Sequence, residues 1–312
     1  MKVLLALEQT RISEEAIRML SKLTLPPGSD LFLLHVIPIP QPITGLAKER
    51  ILKITQKVQE VQKEALEQAR QFLNKVEKRF SRQDVHVYPV VKKGYPGEEI
   101  LKIIQTKDID LVVLGTRGFS QATGFLLGSV SQWVLQEASC SVLVARKMSR
   151  GKKHDQGMNL LLATDGSPDS RAAVEFVKTV ALPAFSYVTI LHVVKKHVYE
   201  TGQALTADSK NESELAKLAE ELLEIRGREG AKLLEQTRKA VSSPDLTITE
   251  RLVYGNPADE ILKTSRYMRA DLIVMGSRGT TGVKRMFMGS VSNKVTHSAG
   301  CPVAVIRRKT KK

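Results

Sequence analysis

Leu114-Gly115-Thr116-Arg117-Gly118 is followed, nine residues on, by Gly128-Ser129-Val130-Ser131, and Met275-Gly276-Ser277-Arg278-Gly279 by Gly289-Ser290-Val291-Ser292 at the same spacing. Both segments close an apolar run headed by Asp-Leu: Asp110-Leu111-Val112-Val113-Leu114 and Asp271-Leu272-Ile273-Val274-Met275. A strand of a parallel sheet, buried on both faces, reads this way. The order is therefore strand, glycine turn, loop, and a Gly-Ser pair opening a helix. Backbone N–H groups then face whatever lies beyond the strand end, a setting suited to phosphate.

The repetition extends outward from these glycines. Gly94-Tyr95-Pro96-Gly97-Glu98-Glu99-Ile100-Leu101 matches Gly255-Asn256-Pro257-Ala258-Asp259-Glu260-Ile261-Leu262, and Leu33-Leu34-His35-Val36 matches Ile190-Leu191-His192-Val193. Leu4-Leu5-Ala6-Leu7-Glu8 matches Leu161-Leu162-Ala163-Thr164-Asp165. The early landmarks lie 157 positions apart and the later ones 161. A period this long is a duplicated domain, since solenoid repeats are far shorter. The expected domains are 1–147 and 158–312, joined by a polar linker over 148–157.

Strands are predicted near 2–7, 31–36, 85–91, 110–114 and 141–145, and again near 159–164, 187–193, 246–253, 271–275 and 302–306. Between the second and third strands of each copy runs a long helical pattern. Ile51, Ile54, Val58, Val61, Ala65, Ala69, Phe72 and Val76 form one apolar stripe. Leu215, Leu218, Leu222 and Ile225 repeat it before Gly227 and Gly230 interrupt it. A coiled coil would show the same stripe, but a crossover helix packed on the sheet fits the alternation of strand and helix. The fold class is α/β: two tandem domains, each a doubly wound five-stranded parallel sheet flanked by helices. Ligands of such sheets bind beyond the carboxyl ends of the strands, where the strand order switches.

The chain's 312 residues suit two domains of ordinary size. Its net charge of +15 is spread evenly, with 22 basic and 15 acidic residues in 1–150 and 26 and 18 in the remainder. Even spreading, with aromatics at only 5%, argues against a nucleic-acid partner or a platform for stacking bases. The N-terminal apolar run stops at Glu8, too soon for a signal peptide, and no run reaches membrane-spanning length. A cytoplasmic location is expected, with Cys140 and Cys301 as small buried thiols in a reducing compartment. His35, His86, His154, His192, His197 and His297 show no metal-ligand spacing, and His35 and His192 read as satisfied core histidines. No Walker A sequence is present.

Asp165-Gly166-Ser167 after a first strand, Leu191-His192-Val193 ending a second, and the Gly-x2-Gly-x9-Gly-Ser pattern after a fourth resemble the universal stress protein family, once per copy. The resemblance implies an α/β sandwich fold, the adenine nucleotide alpha-hydrolase-like type. It also implies binding of ATP or a related adenine nucleotide, with which Mg can travel, and a regulatory rather than catalytic role in stress response. Tandem members pair their two domains as single-domain members form dimers, so intramolecular pairing is expected. A homodimer and an unidentified regulatory protein partner stay open.

By the same resemblance, the nucleotide site of copy two would comprise Ala163, Thr164 and Asp165, with Asp165 on the adenosine. Val193 would offer backbone groups to the adenine. Met275, Gly276, Arg278 and Gly279 would line the ribose and phosphate side, and Gly289, Ser290 and Val291 would hold phosphates. The matching positions of copy one are Ala6, Glu8, Val36, Leu114, Gly115, Arg117, Gly118, Gly128, Ser129 and Val130. Copy one departs in three ways. Glu8 is one methylene longer than aspartate, Gln9 stands where copy two has Gly166, and its loop over 119–127 is uncharged where copy two carries Lys284 and Arg285. Copy two is therefore the expected stronger site. The rival readings are a slow ATPase or autophosphorylating enzyme, and a nucleic-acid-binding protein.

Overall fold

Each apolar run of the sequence becomes a strand. In the computed structural model, which describes residues 1–39, 48–81, 84–116, 127–147, 157–195, 212–279 and 288–309, the first compact unit ends at Ala145 and the second starts at Arg146. The described strands of the first unit are β1 (Lys2–Leu7), β2 (Ser29–Pro38), β3 (Val85–Gly94), β4 (Leu111–Gly115) and β5 (Ser141–Ala145). Its helices are α1 (Arg11–Lys22), α2 (Lys48–Glu77), α3 (Pro96–Lys107) and α4 (Ser129–Glu137). The strands are parallel and lie in the order β3-β2-β1-β4-β5.

The second unit repeats this plan. Its strands are β6 (Asn159–Ala163), β7 (Ser186–Val194), β8 (Leu246–Tyr254), β9 (Leu272–Gly276) and β10 (Val303–Ile306), in the order β8-β7-β6-β9-β10. Its helices are α5 (Pro168–Thr179), α6 (Glu212–Val241), α7 (Pro257–Tyr267) and α8 (Ser290–Ser298). In both units the order reverses between the first and fourth strands, so the switch point falls between β1 and β4, and between β6 and β9.

The continuous apolar character of the central strands follows from cover on both faces. Val3, Leu4 and Leu5 of β1 and Leu111, Val112 and Val113 of β4 are completely buried. Each such side chain contributes roughly 1.5–3 kcal/mol on leaving water. The aspartate heading each fourth strand ties it to the first. Asp110 accepts the Lys2 N–H at 2.7 Å, and Asp271 accepts the Asn159 N–H at 2.9 Å. Helix starts carry their own signals. Pro96, Pro168 and Pro257 sit in first turns. Ser167 and Asn256 accept first-turn N–H groups of α5 and α7.

The stripes on the long helices need a correction. Among the described side chains the buried apolar ones lie in the C-terminal halves: Ala69, Leu73 and Val76 of α2 and Leu234 and Val241 of α6. Val61, Leu218, Leu222 and Ile225 are exposed, and the side chains of Ile51, Ile54, Val58 and Leu215 lie outside the described residues. Gly227 and Gly230, which interrupt the pattern in sequence, lie where α6 packs against side chains of β7 and β8. A Cβ on Gly230 would stand 2.7 Å from both His192 and Leu252. The apolar period of α6 thus continues over described side chains that are exposed.

Candidate functional site

The second unit brings Ala163, Thr164, Asp165, Met275, Gly276 and Gly279 together at the switch point. Ala163 of β6 pairs with Met275 of β9 on one side and with Leu191 of β7 on the other. The Thr164 N–H continues that pairing to Leu191 O at 2.9 Å. The chain then turns sharply. Asp165 Oδ1 accepts the Ser167 N–H at 3.0 Å, and Gly166 between them takes a left-handed φ of 74°. This Asx turn needs the short aspartate side chain and the glycine together. Val193 lies in β7, half-buried, paired with Val253.

The glycine loop is seated against α5 by contacts that leave no room for side chains. A Cβ on Gly276 would stand 2.6 Å from the Ser170 nitrogen and 2.7 Å from the Asp169 carbonyl carbon. A Cβ on Gly279 would stand 2.7 Å from Asp165 Oδ2. Between these glycines, the Ser277 Oγ–H donates to Asp169 Oδ2 at 2.6 Å and the Arg278 Nε–H to the same oxygen at 3.1 Å. The Ser167 Oγ–H donates to Arg278 O at 3.0 Å. The Gly289 N–H, at 2.9 Å, and the Ser292 Oγ–H, at 2.7 Å, both reach Ser277 O. Gly289 is the N-cap of α8, so Ser290 and Val291 fall in its first turn, with Ser290 exposed. First-turn N–H groups have no intrahelical partner and are available to an anion.

Sequence reasoning missed Asp169, Ser167 and Ser277. Asp169 is buried in the first turn of α5, and its partners lie more than a hundred residues away in sequence. The signal that could have found it is an acid following Asp-Gly-Ser-Pro where the first copy has Ile12.

The first unit builds the same corner differently. A cavity of about 250 Å³ is lined by Ala6, Glu8, Val36, Leu114, Gly115, Gly128 and Val130, together with Ile12, Ser13, His35, Ile100 and Ser131. Seven predicted residues thus come together, and Ser129 stands exposed at the start of α4. Arg117 and Gly118 lie outside the described residues, as do Lys284 and Arg285, His154 and His197, and residues 148–156 of the expected linker. Here the Glu8 N–H donates to Ser13 Oγ at 2.6 Å, and the Glu8 side chain stays exposed. Where the second unit has the buried carboxylate of Asp169, Ile12 fills the space: a Cβ on Gly115 would stand 2.3 Å from Ile12 Cγ2.

His35 and His192 are half-buried and satisfied on one side. The His35 Nδ1–H donates to Leu7 O at 2.9 Å, and the His192 Nδ1–H to Thr164 O at 2.8 Å. A carbonyl only accepts, so Nδ1 carries the proton in both rings. Each histidine braces the strand end next to the acid. Cys140 and Cys301 are buried and not joined in a disulfide, and burial pushes the Cys301 thiol up to about 12. Among the described residues no group of three His, Cys, Asp or Glu could hold a metal ion, and no helix is long and apolar enough to cross a membrane.

Comparison with known proteins gives a consistent picture. A model of the universal stress protein family matches residues 1–146 and again 158–307. Universal stress protein YxiE of Bacillus subtilis is 32% identical over 148 residues, which is 47% of this chain and 97% of that protein. Universal stress protein Rv2005c of Mycobacterium tuberculosis is 31% identical over 212 residues, covering 65% of this chain and 63% of that protein. Among solved structures, a universal stress protein from Archaeoglobus fulgidus aligns over 99% of this chain and 98% of its own, with a TM-score of 0.59 and 23% identity. That last likeness is one of fold.

Proposed function

The chain belongs to the universal stress protein family, and on that ground we propose that it binds an adenine nucleotide, ATP or AMP, and serves a regulatory role in the stress response through that binding. The observation that carries the reading is the second unit's corner. There a strand-end carboxylate, Asp165, lies beneath Gly279, and the first turn of α8 opens beside the same loop. A carboxylate accepts hydroxyl hydrogen bonds from a sugar. Helix-start N–H groups and the helix dipole hold phosphate. Glycines at 276 and 279 keep the backbone low enough for the ligand to approach. The first unit's cavity offers the same plan with Glu8 in place of the aspartate and is the weaker site of the two.

Binding without efficient turnover follows from the donor set. Backbone N–H groups and a serine hydroxyl stabilise bound and transition-state phosphate alike, and uniform binding does not accelerate chemistry. Phosphoryl transfer needs a metal held at the γ-phosphate and a group orienting the nucleophile. Any Mg is expected to travel with the polyphosphate, as that ion usually does, rather than in an all-protein cage.

The test is to denature purified protein, identify any released nucleotide by mass spectrometry, and titrate emptied protein with ATP and AMP by calorimetry. Release or saturable uptake of an adenine nucleotide is the expected result, and neither one occurring refutes the reading. A single-turnover assay with labelled ATP separates the rival. A phosphate-release rate near one per second that Asp165→Ala removes would make the protein an enzyme.

A further inference from the structure

Arg278 follows the first glycine of the motif by two residues, where a phosphate ligand would be sought, yet its guanidinium is already engaged. Its Nε–H meets the Asp169 carboxylate at 3.1 Å, and the pair is largely withdrawn from water, with 27% of the arginine side chain and 5% of the aspartate side chain exposed. The same Asp169 oxygen takes the Ser277 hydroxyl at 2.6 Å. One buried carboxylate thus fixes two consecutive loop residues. The loop is held from three further directions: by Ser167 on Arg278 O, by Gly289 and Ser292 on Ser277 O, and by the Ser277 N–H on Ile306 O at 2.8 Å.

We propose that Asp169 is a positioning residue of the second site: through Ser277 and Arg278 it seats the glycine loop over Asp165 and the start of α8, and it removes the Arg278 guanidinium from the groups that meet the ligand. The inference rests on the nucleotide reading of this site. Its physical basis is pre-organisation. A loop already held in its binding geometry does not lose conformational freedom when the ligand arrives. A carboxylate buried with two donors would leave a strong unmet acceptor if the loop lifted. With its Nε–H directed at Asp169, Arg278 is held off the ligand, and phosphate is met by backbone N–H groups and the Ser290 hydroxyl. The first unit has Ile12 in place of Asp169 and therefore lacks this lock.

Hydrogen–deuterium exchange on the full chain reads the two sites separately, because each is followed through its own peptides. The ligands are ATP and adenosine, and the signal is protection of two peptides, one spanning Asp165 and one that starts well before Gly289 and spans it. Without ligand, Asp169→Ala should speed exchange of the Gly289 amide, which the wild-type loop protects through Ser277 O. With ligand, Asp169→Ala should raise the half-protection concentration about tenfold for ATP and adenosine alike, and Arg278→Ala should do the same. Asp169→Asn, which keeps an oxygen acceptor, should stay within about threefold of wild type, since neutral hydrogen bonds retain part of the strength of charged ones. A loss confined to ATP in Arg278→Ala would make Arg278 a phosphate ligand and overturn the inference. So would wild-type midpoints for both ligands in Asp169→Ala, with the nucleotide reading left standing. Wild-type protein that gains no protection from either ligand overturns the nucleotide reading and this inference with it. Unchanged exchange in the β7 and β8 peptides of the second unit confirms that the variants are folded.

Discussion

Replacing Gly279 by alanine tests the site with a single methyl group. Gly279 is not among the positive-φ residues, so alanine brings no backbone strain. The new Cβ would fall 2.7 Å from Asp165 Oδ2, whereas ordinary contact begins at 3.4 Å, so the carboxylate must retreat by about 0.7 Å. Oδ1 of the same group holds the Ser167 N–H at 3.0 Å. Rotating the carboxylate about its Cβ–Cγ bond carries both oxygens together, so relieving the contact at Oδ2 opens the Asx turn at Oδ1. A hydrogen bond to a charged group contributes ~1.5–3 kcal/mol. Asp165 is half-buried, and water recovers part of that, placing the stability loss at about 1–1.5 kcal/mol. Nucleotide affinity should fall about tenfold or more, because the ligand's carboxylate partner has turned away. Calorimetric titration with ATP measures the affinity, and urea unfolding measures the stability. Wild-type affinity in Gly279→Ala would refute the placement of Asp165 at the ligand. A stability loss beyond about 3 kcal/mol would show that the loop cannot absorb the methyl group by moving one side chain.

Three further outcomes are expected. Gly289→Val should cost more nucleotide affinity by calorimetry than Gly128→Val, because its side chain would press on Ser277 O, 3.2 Å from the Cβ position, in the better formed site; the reverse ranking would refute the asymmetry. Gly97→Ala should shift the emission of Trp133, since a Cβ there would stand 2.3 Å from the indole ring, and Trp133 is exposed enough to swing aside with little change in unfolding temperature. Because burial raises the Cys301 thiol from 9.0 to about 12, the folded chain holds its proton where the unfolded chain releases it. Its share of stability is therefore full below pH 9.0 and declines up to about pH 12, with a slope of at most ~1.4 kcal/mol per pH unit, and Cys301→Ala should flatten that decline in urea titrations.

The fold could be read from sequence because its signals are local and occur twice. Apolar runs headed by Asp-Leu became β4 and β9, and the aspartates proved to tie those strands to β1 and β6. The glycine spacing located the loop, and the two copies supported each other. The same comparison concealed Asp169. A residue whose counterpart is Ile12 carries no repeated signal, and its partners Ser277 and Arg278 are 108 and 109 positions away. The long helices misled for another reason. Leu218, Leu222 and Ile225 keep the period of a packed face, but periodicity does not say how far the sheet beneath extends.

The central position of β1 has a consequence for synthesis. Its β4 neighbour, clasped through Lys2 and Asp110, is 108 residues further along the chain. At about 5–20 residues per second, the ribosome delivers that partner roughly 5–20 s after β1 emerges. Throughout that interval one edge of this apolar strand lacks its β4 neighbour. A nascent chain stalled before Leu111 would therefore present an open, sticky strand edge. Such a chain is a natural client for holding chaperones until the clasp can close.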